Sequence, residues 1–161
     1  MGKALPRILT TPTSAASSGG AFLERDQDLA ALERALDDVR SSDEGSLVLL
    51  AGEAGVGKSE LIRSFCGSLP ASVRVLRGAC EPLLTGRPLG PFLDVGETVG
   101  GEVRELLEQA ARPHELAAGL MRELQAIAPT VLVLEDLHWA DEATLDVLTL
   151  VGRRVQSIPY I

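Results

Sequence analysis

Aromatic side chains are nearly absent from this 161-residue chain: three Phe, one Tyr and one Trp make up 3% of it. The core must therefore be aliphatic, and a hydrophobic fraction of 45% is enough for one sizeable core in a single domain. No uninterrupted apolar run approaches the roughly 20 residues that cross a bilayer, which excludes a helical membrane protein. Lys3 and Arg7 precede only Ile8 and Leu9 before the polar Thr10-Thr11-Pro12-Thr13, too little for the apolar core of a secretory signal. A cytoplasmic location is expected. Cysteine is limited to Cys66 and Cys80, which are not in a Cys-x-x-Cys arrangement, so neither a disulfide framework nor a zinc site is supported and both read as small buried hydrophobes. Basic residues are in deficit, 15 against 23 acidic, for a net charge of −8. That is the wrong sign for affinity gained by releasing counterions from phosphate backbones, so direct nucleic-acid binding is not expected.

The residues that are present alternate between helix and strand patterns. Residues 1–20 are expected to form a disordered leader, because Thr10 to Gly20 is almost entirely Thr, Ser, Ala, Pro and Gly. From 21 to 161 the chain reads as one domain. Leu29, Leu32, Leu36 and Val39 recur at helical spacing, with Asp26 as N-cap, so a helix is expected to about Arg40. Ser46 to Ala51 is a short apolar run without a polar face, as in a parallel strand covered on both sides. A glycine-rich loop follows, and Leu61, Ile62 and Phe65 line one face of a helix over Lys58 to Leu69. Val73 to Arg77 suggests a partly buried strand, and Pro82 to Pro91 a loop. Two helices are then expected, one over Glu102 to Arg112 with Val103, Leu106, Leu107 and Ala110 inward, the next opening at Pro113. Thr130 to Glu135 reads as a second buried strand, and Asp141 as the cap of a helix with Leu145, Leu148 and Val151 inward. Strands alternating with helices predict an α/β fold with a parallel sheet.

The chemistry concentrates in two places. Gly52-Glu53-Ala54-Gly55-Val56-Gly57-Lys58-Ser59 matches G-x-x-x-x-G-K-[ST] between an apolar strand and a helix, the context in which such a P-loop works. Glycines let the backbone curl so that its N–H groups converge on a phosphate, and the helix N-terminus adds positive partial charge. Lys58 can then reach the β- and γ-phosphates of a nucleoside triphosphate and the Ser59 hydroxyl can ligate Mg²⁺, while Glu53 contributes its backbone alone. The second place is Val131-Leu132-Val133-Leu134-Glu135-Asp136, an acidic pair ending an apolar strand. One acid would hold the metal and its neighbour would orient or deprotonate water; alternation along a strand leaves open which does which.

These motifs resemble the ATPase domain of the STAND and AAA-type signal-transduction ATPases, above all the ATP-binding domain of the large LuxR-type bacterial transcriptional regulators. The resemblance is carried by Leu23-Glu24-Arg25-Asp26, Ala51 to Glu60, Arg77-Gly78-Ala79-Cys80-Glu81-Pro82-Leu83-Leu84, and Leu134-Glu135-Asp136-Leu137-His138-Trp139-Ala140-Asp141. It implies a three-layer P-loop NTPase sandwich that binds ATP and Mg²⁺, with Gly52 to Glu60 around the nucleotide and Ser59, Glu135 and Asp136 around the metal. It also implies a central strand starting near Ile158-Pro159-Tyr160-Ile161, with the sensor, arginine finger, lid and DNA-reading domains beyond, so the chain reads as C-terminally truncated. The order Glu135-Asp136, where many relatives have Asp then Glu, implies slow hydrolysis. Apart from the resemblance, His138 reads as a loop residue and Trp139 as a packing residue. Rival readings are a small P-loop kinase, which would need an acceptor pocket and a basic lid, and an interaction module that self-associates or binds a protein partner through the edge of an unfinished sheet.

Overall fold

The computed structural model describes residues 7–10, 20–42, 44–82, 88–127 and 129–155. Strand β1 (Arg7–Thr10) leads to helix α1 (Gly20–Ser42), strand β2 (Val48–Ala51), α2 (Lys58–Ser68) and β3 (Arg74–Ala79). Three helices follow, α3 (Gly90–Val99), α4 (Gly101–Glu108) and α5 (Pro113–Ala126), then β4 (Thr130–Glu135), one turn of 3-10 helix at Leu137–Trp139, and α6 (Glu142–Arg154). Both strand pairings are parallel. β1 pairs with β2, and β3 pairs with β4 in a register running from Arg74 opposite Thr130 to Ala79 opposite Glu135. The α/β class with parallel pairing is as the sequence predicts. Among the described residues no ladder joins the two pairs, and no helix is long and apolar enough to cross a membrane.

Two apolar clusters flank the strands. Leu76, Phe92, Val95, Val103, Leu116, Leu120, Leu124 and Val147 form the larger, with Leu132 and Leu134 of β4 packed on it. Leu32, Leu61 and Phe65 form the smaller, against which Val48 and Leu50 of β2 and Val131 of β4 pack. Even-numbered residues of β4 thus face α3, α5 and α6, and odd-numbered ones face α1 and α2, as the period of two requires. Both strand pairs share the α1/α2 layer although no ladder connects them.

Several expectations need correction. Arg7–Thr10, placed in the leader, is a strand; the rest of the expected leader up to residue 19 lies outside the described residues, as do Leu83, Leu84 and Ile158 to Ile161. Helix α1 begins at Gly20, so Asp26 is interior to it and not its cap. β2 is not covered on both sides: its residues alternate between half-buried and exposed, Leu49 being 36% exposed. Three helices, not two, separate β3 from β4: the expected loop from Pro82 to Pro91 gives way at Gly90 to α3, over a stretch for which no element is expected. Ala110 is outside its helix, in the left-handed region at φ 50°. On α6 the buried residues are Thr144, Val147 and Val151, and Leu148 packs on the larger core as expected, whereas Leu145 is 49% exposed.

Two contacts fix the crossover between β3 and β4. At its near end, Arg74 forks across three elements: Nη1 pairs with Glu123 Oε1 at 2.7 Å, Nη2 donates to the Glu123 carbonyl at 2.9 Å, and Nε donates to Thr130 Oγ1 at 3.0 Å. At its far end, the start of α3 presses directly on β3. A Cβ on Gly78 would lie 2.0 Å from the Pro91 carbonyl oxygen, 2.7 Å from its carbon and 2.9 Å from its Cα, all backbone atoms that cannot swing aside. Gly78→Ala is accordingly expected to destabilise the fold by about 3 kcal/mol, at the upper end of ordinary overpacking. A fall in the urea midpoint with an unchanged slope would show it; an unchanged midpoint would refute the close approach.

Candidate functional site

The loop after β2 turns twice through the left-handed region, at Gly55 (φ 80°) and Gly57 (φ 97°), where a side chain would be strained. Gly57 is the N-cap of α2, and its carbonyl accepts the first helical bond, from Leu61 N at 3.0 Å. Val56 N reaches the Glu53 carbonyl at 3.4 Å and closes the turn. No side chain caps α2, which leaves the first N–H groups of the helix and their positive partial charge for an anion. The Lys58 ammonium folds back over the loop, donating to the Gly52 carbonyl at 2.7 Å and the Glu53 carbonyl at 2.8 Å. A cation is thus fixed at the mouth of the turn. Ser59 stands exposed beside it, and Glu60, also exposed, pairs with Arg63 one turn along α2.

The two acids at the end of β4 stand in different surroundings. Glu135 shares the odd-numbered face of the strand with Val131, which packs on α2, so its side chain is on the sheet face of the helix that carries the loop. The negative charge of Glu135 is felt at Cys66 on α2, where burial raises the thiol pKa and the Arg77 guanidinium opposes that rise. Arg77 lies two register steps before the strand ends, opposite Val133 and on the same face as Glu135. Asp136 has left the strand in the left-handed conformation (φ 56°), which Asp tolerates better than most residues. Its Oδ1 lies 3.9 Å from His138 Nδ1, and its charge acts, with that of Asp141, on buried Cys80, whose pKa is raised chiefly by burial. Trp139, expected to pack, is 41% exposed with its ring tilted at 5.0 Å from that of His138.

Asp141 does more than cap α6. Its Oδ1 accepts from Thr144 N at 2.9 Å, and its Oδ2 accepts from Thr144 Oγ1 at 2.7 Å and from Leu89 N at 3.0 Å. Leu89 is the left-handed N-cap of α3 (φ 63°). One carboxylate therefore holds the starts of two helices beside the acidic strand end, a connection that spacing alone does not reveal. Burial alone would raise the Asp141 pKa, but the bonds from Thr144 and Leu89 outweigh it and hold the carboxyl below its ordinary value.

The donor set suits magnesium. Among the described residues no group of three or more His, Cys, Asp and Glu could cage a cation unaided. Ser59 offers one hydroxyl and Glu135 one half-buried carboxylate, oxygen donors of the kind that Mg²⁺ takes in small number when phosphate oxygens and water complete its shell.

Comparison with known proteins agrees with this geometry. Residues 21–161 match the family model described as AAA ATPase domain. The uncharacterized protein R02095 of Rhizobium meliloti (strain 1021) is 25% identical over 190 residues, covering 89% of this chain and 18% of its own length. The arsenical pump-driving ATPase of Escherichia coli is 28% identical over 112 residues, covering 70% of this chain and 18% of its own length. The chain thus spans about a fifth of the length of either relative. No solved structure matches.

Replacing Asp141 by Ala removes a cap and leaves the Leu89 N–H without its acceptor, an expected loss of about 2 kcal/mol. Because the folded pKa is depressed, the contribution is complete above the unfolded value near 4 and is lost as pH falls through the folded value. Urea unfolding of the wild type and of Asp141→Asn from pH 7 to pH 2 should show the two curves converging in acid. A gap that persists at pH 2 would refute the role of the charge.

Proposed function

Because the chain belongs to the AAA ATPase domain family, we propose that it is an ATP-binding, Mg²⁺-dependent switch module that hydrolyses slowly. The observation that carries this reading is the loop from Gly52 to Lys58, twice left-handed and braced by Lys58, opening α2 on the sheet face that Glu135 shares. The backbone N–H groups from Glu53 to Lys58 hold the phosphates, with Ala54 and Val56 taking part through the main chain. Ser59 and Glu60 complete the first turn of α2 around the nucleotide. Lys58 would leave its carbonyl partners, or share them, to neutralise the β- and γ-phosphates. Ser59 and Glu135 hold the metal, Glu135 because it faces α2. Mg²⁺, when bound, supplies charge neutralisation of the phosphate oxygens. Asp136, turned out of the strand beside His138, accepts or orients the proton of the attacking water. Its side chain is one methylene shorter than the glutamate common at this place, which disfavours reach to that water and slows turnover.

Adenine over guanine and a role within a larger LuxR-type or STAND regulator follow from the resemblance alone. The relatives' much greater length is in keeping with a module inside a longer protein. A second reading is favoured by one observation. β2 and β4 share an apolar layer without a ladder between them among the described residues, which suits strand addition from a second copy or a protein partner.

Thermal unfolding of wild type and Lys58→Ala, each with and without Mg²⁺-ATP or Mg²⁺-GTP, tests the main reading. A ligand at a hundred times its Kd stabilises the folded state by about 2.7 kcal/mol. The wild-type midpoint is expected to rise by several degrees with Mg²⁺-ATP, and that of Lys58→Ala to stay where it is without nucleotide. Equal shifts in both proteins, or none in the wild type, would overturn the assignment.

A further inference from the structure

The family match begins at residue 21, yet a strand ahead of it takes part in the fold. β1 pairs with β2 over its whole length, Arg7 opposite Val48, Ile8 opposite Leu49, Leu9 opposite Leu50 and Thr10 opposite Ala51. Among the described residues β2 has no other ladder partner. Ala51 is followed at once by Gly52, whose carbonyl accepts from Lys58. The last rung of the ladder therefore stands one residue from the phosphate loop. The chain returns from β1 to β2 through α1, the crossover that a parallel pair requires, and α1 packs on α2 through Leu32, Leu61 and Phe65. Both sides of the loop, the strand that enters it and the helix that leaves it, are tied to the segment that starts at Arg7.

We propose that Arg7–Thr10 is a positioning strand for the phosphate loop, which fixes the backbone entering Gly52 and thereby sets the affinity for nucleotide. The inference rests on the nucleotide-binding reading above. A loop that binds through main-chain N–H groups loses affinity to the cost of ordering its own backbone. A ladder formed before the ligand arrives offsets part of that cost. β2 packs on α1 and α2 through Val48 and Leu50 alone and leaves Leu49 and Ala51 exposed, so the ladder supplies its lateral hold.

The test is Leu9→Pro in the full chain. It removes a backbone N–H and opposes continuation of the strand without altering the family-matched residues. Amide hydrogen exchange and titration with Mg²⁺-ATP are read on both proteins. In the wild type, protection over 7–10 and 48–51 is expected. In Leu9→Pro it is lost there and kept in α5 and β4, while Mg²⁺-ATP binds about tenfold more weakly. Should proline unfold the chain, Leu9→Gly weakens the pairing more gently and shifts affinity the same way. Unprotected amides over 7–10 in the wild type, or wild-type affinity in a variant that has lost that protection, overturn the proposal. If the wild type binds no nucleotide while 7–10 stay protected, the nucleotide reading has failed and the affinity role falls with it; the intact docking tells that failure from one of the strand itself.

Discussion

The six-rung parallel ladder between β3 and β4 constrains nearly everything around it. Parallel strands cannot be joined by a hairpin, so the chain must travel from Ala79 to Thr130 over the face of the sheet. Helices α3, α4 and α5 are that crossover, and they carry most of the larger core. The two ends of the route are pinned by contacts of opposite kind. At Gly78 the absence of a side chain lets the α3 backbone touch the strand, and at Arg74 a long charged one reaches α5 and the first residue of β4. With the register so fixed, Glu135 falls on the last rung and Asp136 beyond it. The acids come to the end of the strand because the crossover has the length and packing to put them there.

Much of the site was legible because its signals are local. The spacing of Gly52, Gly57, Lys58 and Ser59 reports a backbone shape, and the structure forms that shape at Gly55 and Gly57. The apolar runs ending at Ala51 and Glu135 announced two strands, and Asp141 announced its helix. What escaped depended on longer range. Nothing in Arg7-Ile8-Leu9-Thr10 distinguishes a strand from a polar leader, since four residues acquire a role only when β2 offers an edge. Helix α3 escaped because Gly90 and Pro91 read as loop, whereas a proline in the first helical turn costs no hydrogen bond. Leu145 is apolar but stands on the exposed face of α6, and Trp139 lies ahead of α6 in the 3-10 turn, where it is exposed as well. The second job of Asp141, on Leu89, is a contact across 52 residues that no periodicity could announce.

The sequences of β2 and β4 are more apolar than their burial demands. Leu47-Val48-Leu49-Leu50 has no polar face, yet Leu49 is exposed, and from Val131 onward β4 is half-buried throughout. Runs of this kind belong to strands covered on both faces and flanked on both edges. Both lie against the α1/α2 layer with Leu61 and Phe65, and Gly152 of α6 comes within 3.3 Å of Leu47 when given a Cβ. Helices thus approach the region between the strand pairs from both sides, while the ladder between β2 and β4 is missing among the described residues. The composition of the strands and the placement of the helices both favour a sheet more continuous than these two pairs.

At the end of β4 the two acids have different neighbours. A strand alternates its side chains, so neighbours cannot both face α2. Glu135 is on the face that packs on α2, and its charge is felt there at Cys66. Asp136 is freed from alternation by leaving the strand through a left-handed turn, and it shares its surroundings with Asp141 and His138 instead. That turn is stabilised from beyond it, since the following 3-10 turn closes with Trp139 N on the Asp136 carbonyl at 2.9 Å and Ala140 N on that of Leu137 at 3.1 Å. Asp141 then anchors the segment to α3 and α6. The backbone conformation of Asp136 is therefore held by the residues that follow it, and the phrase from Leu137 to Asp141 is what shapes that turn.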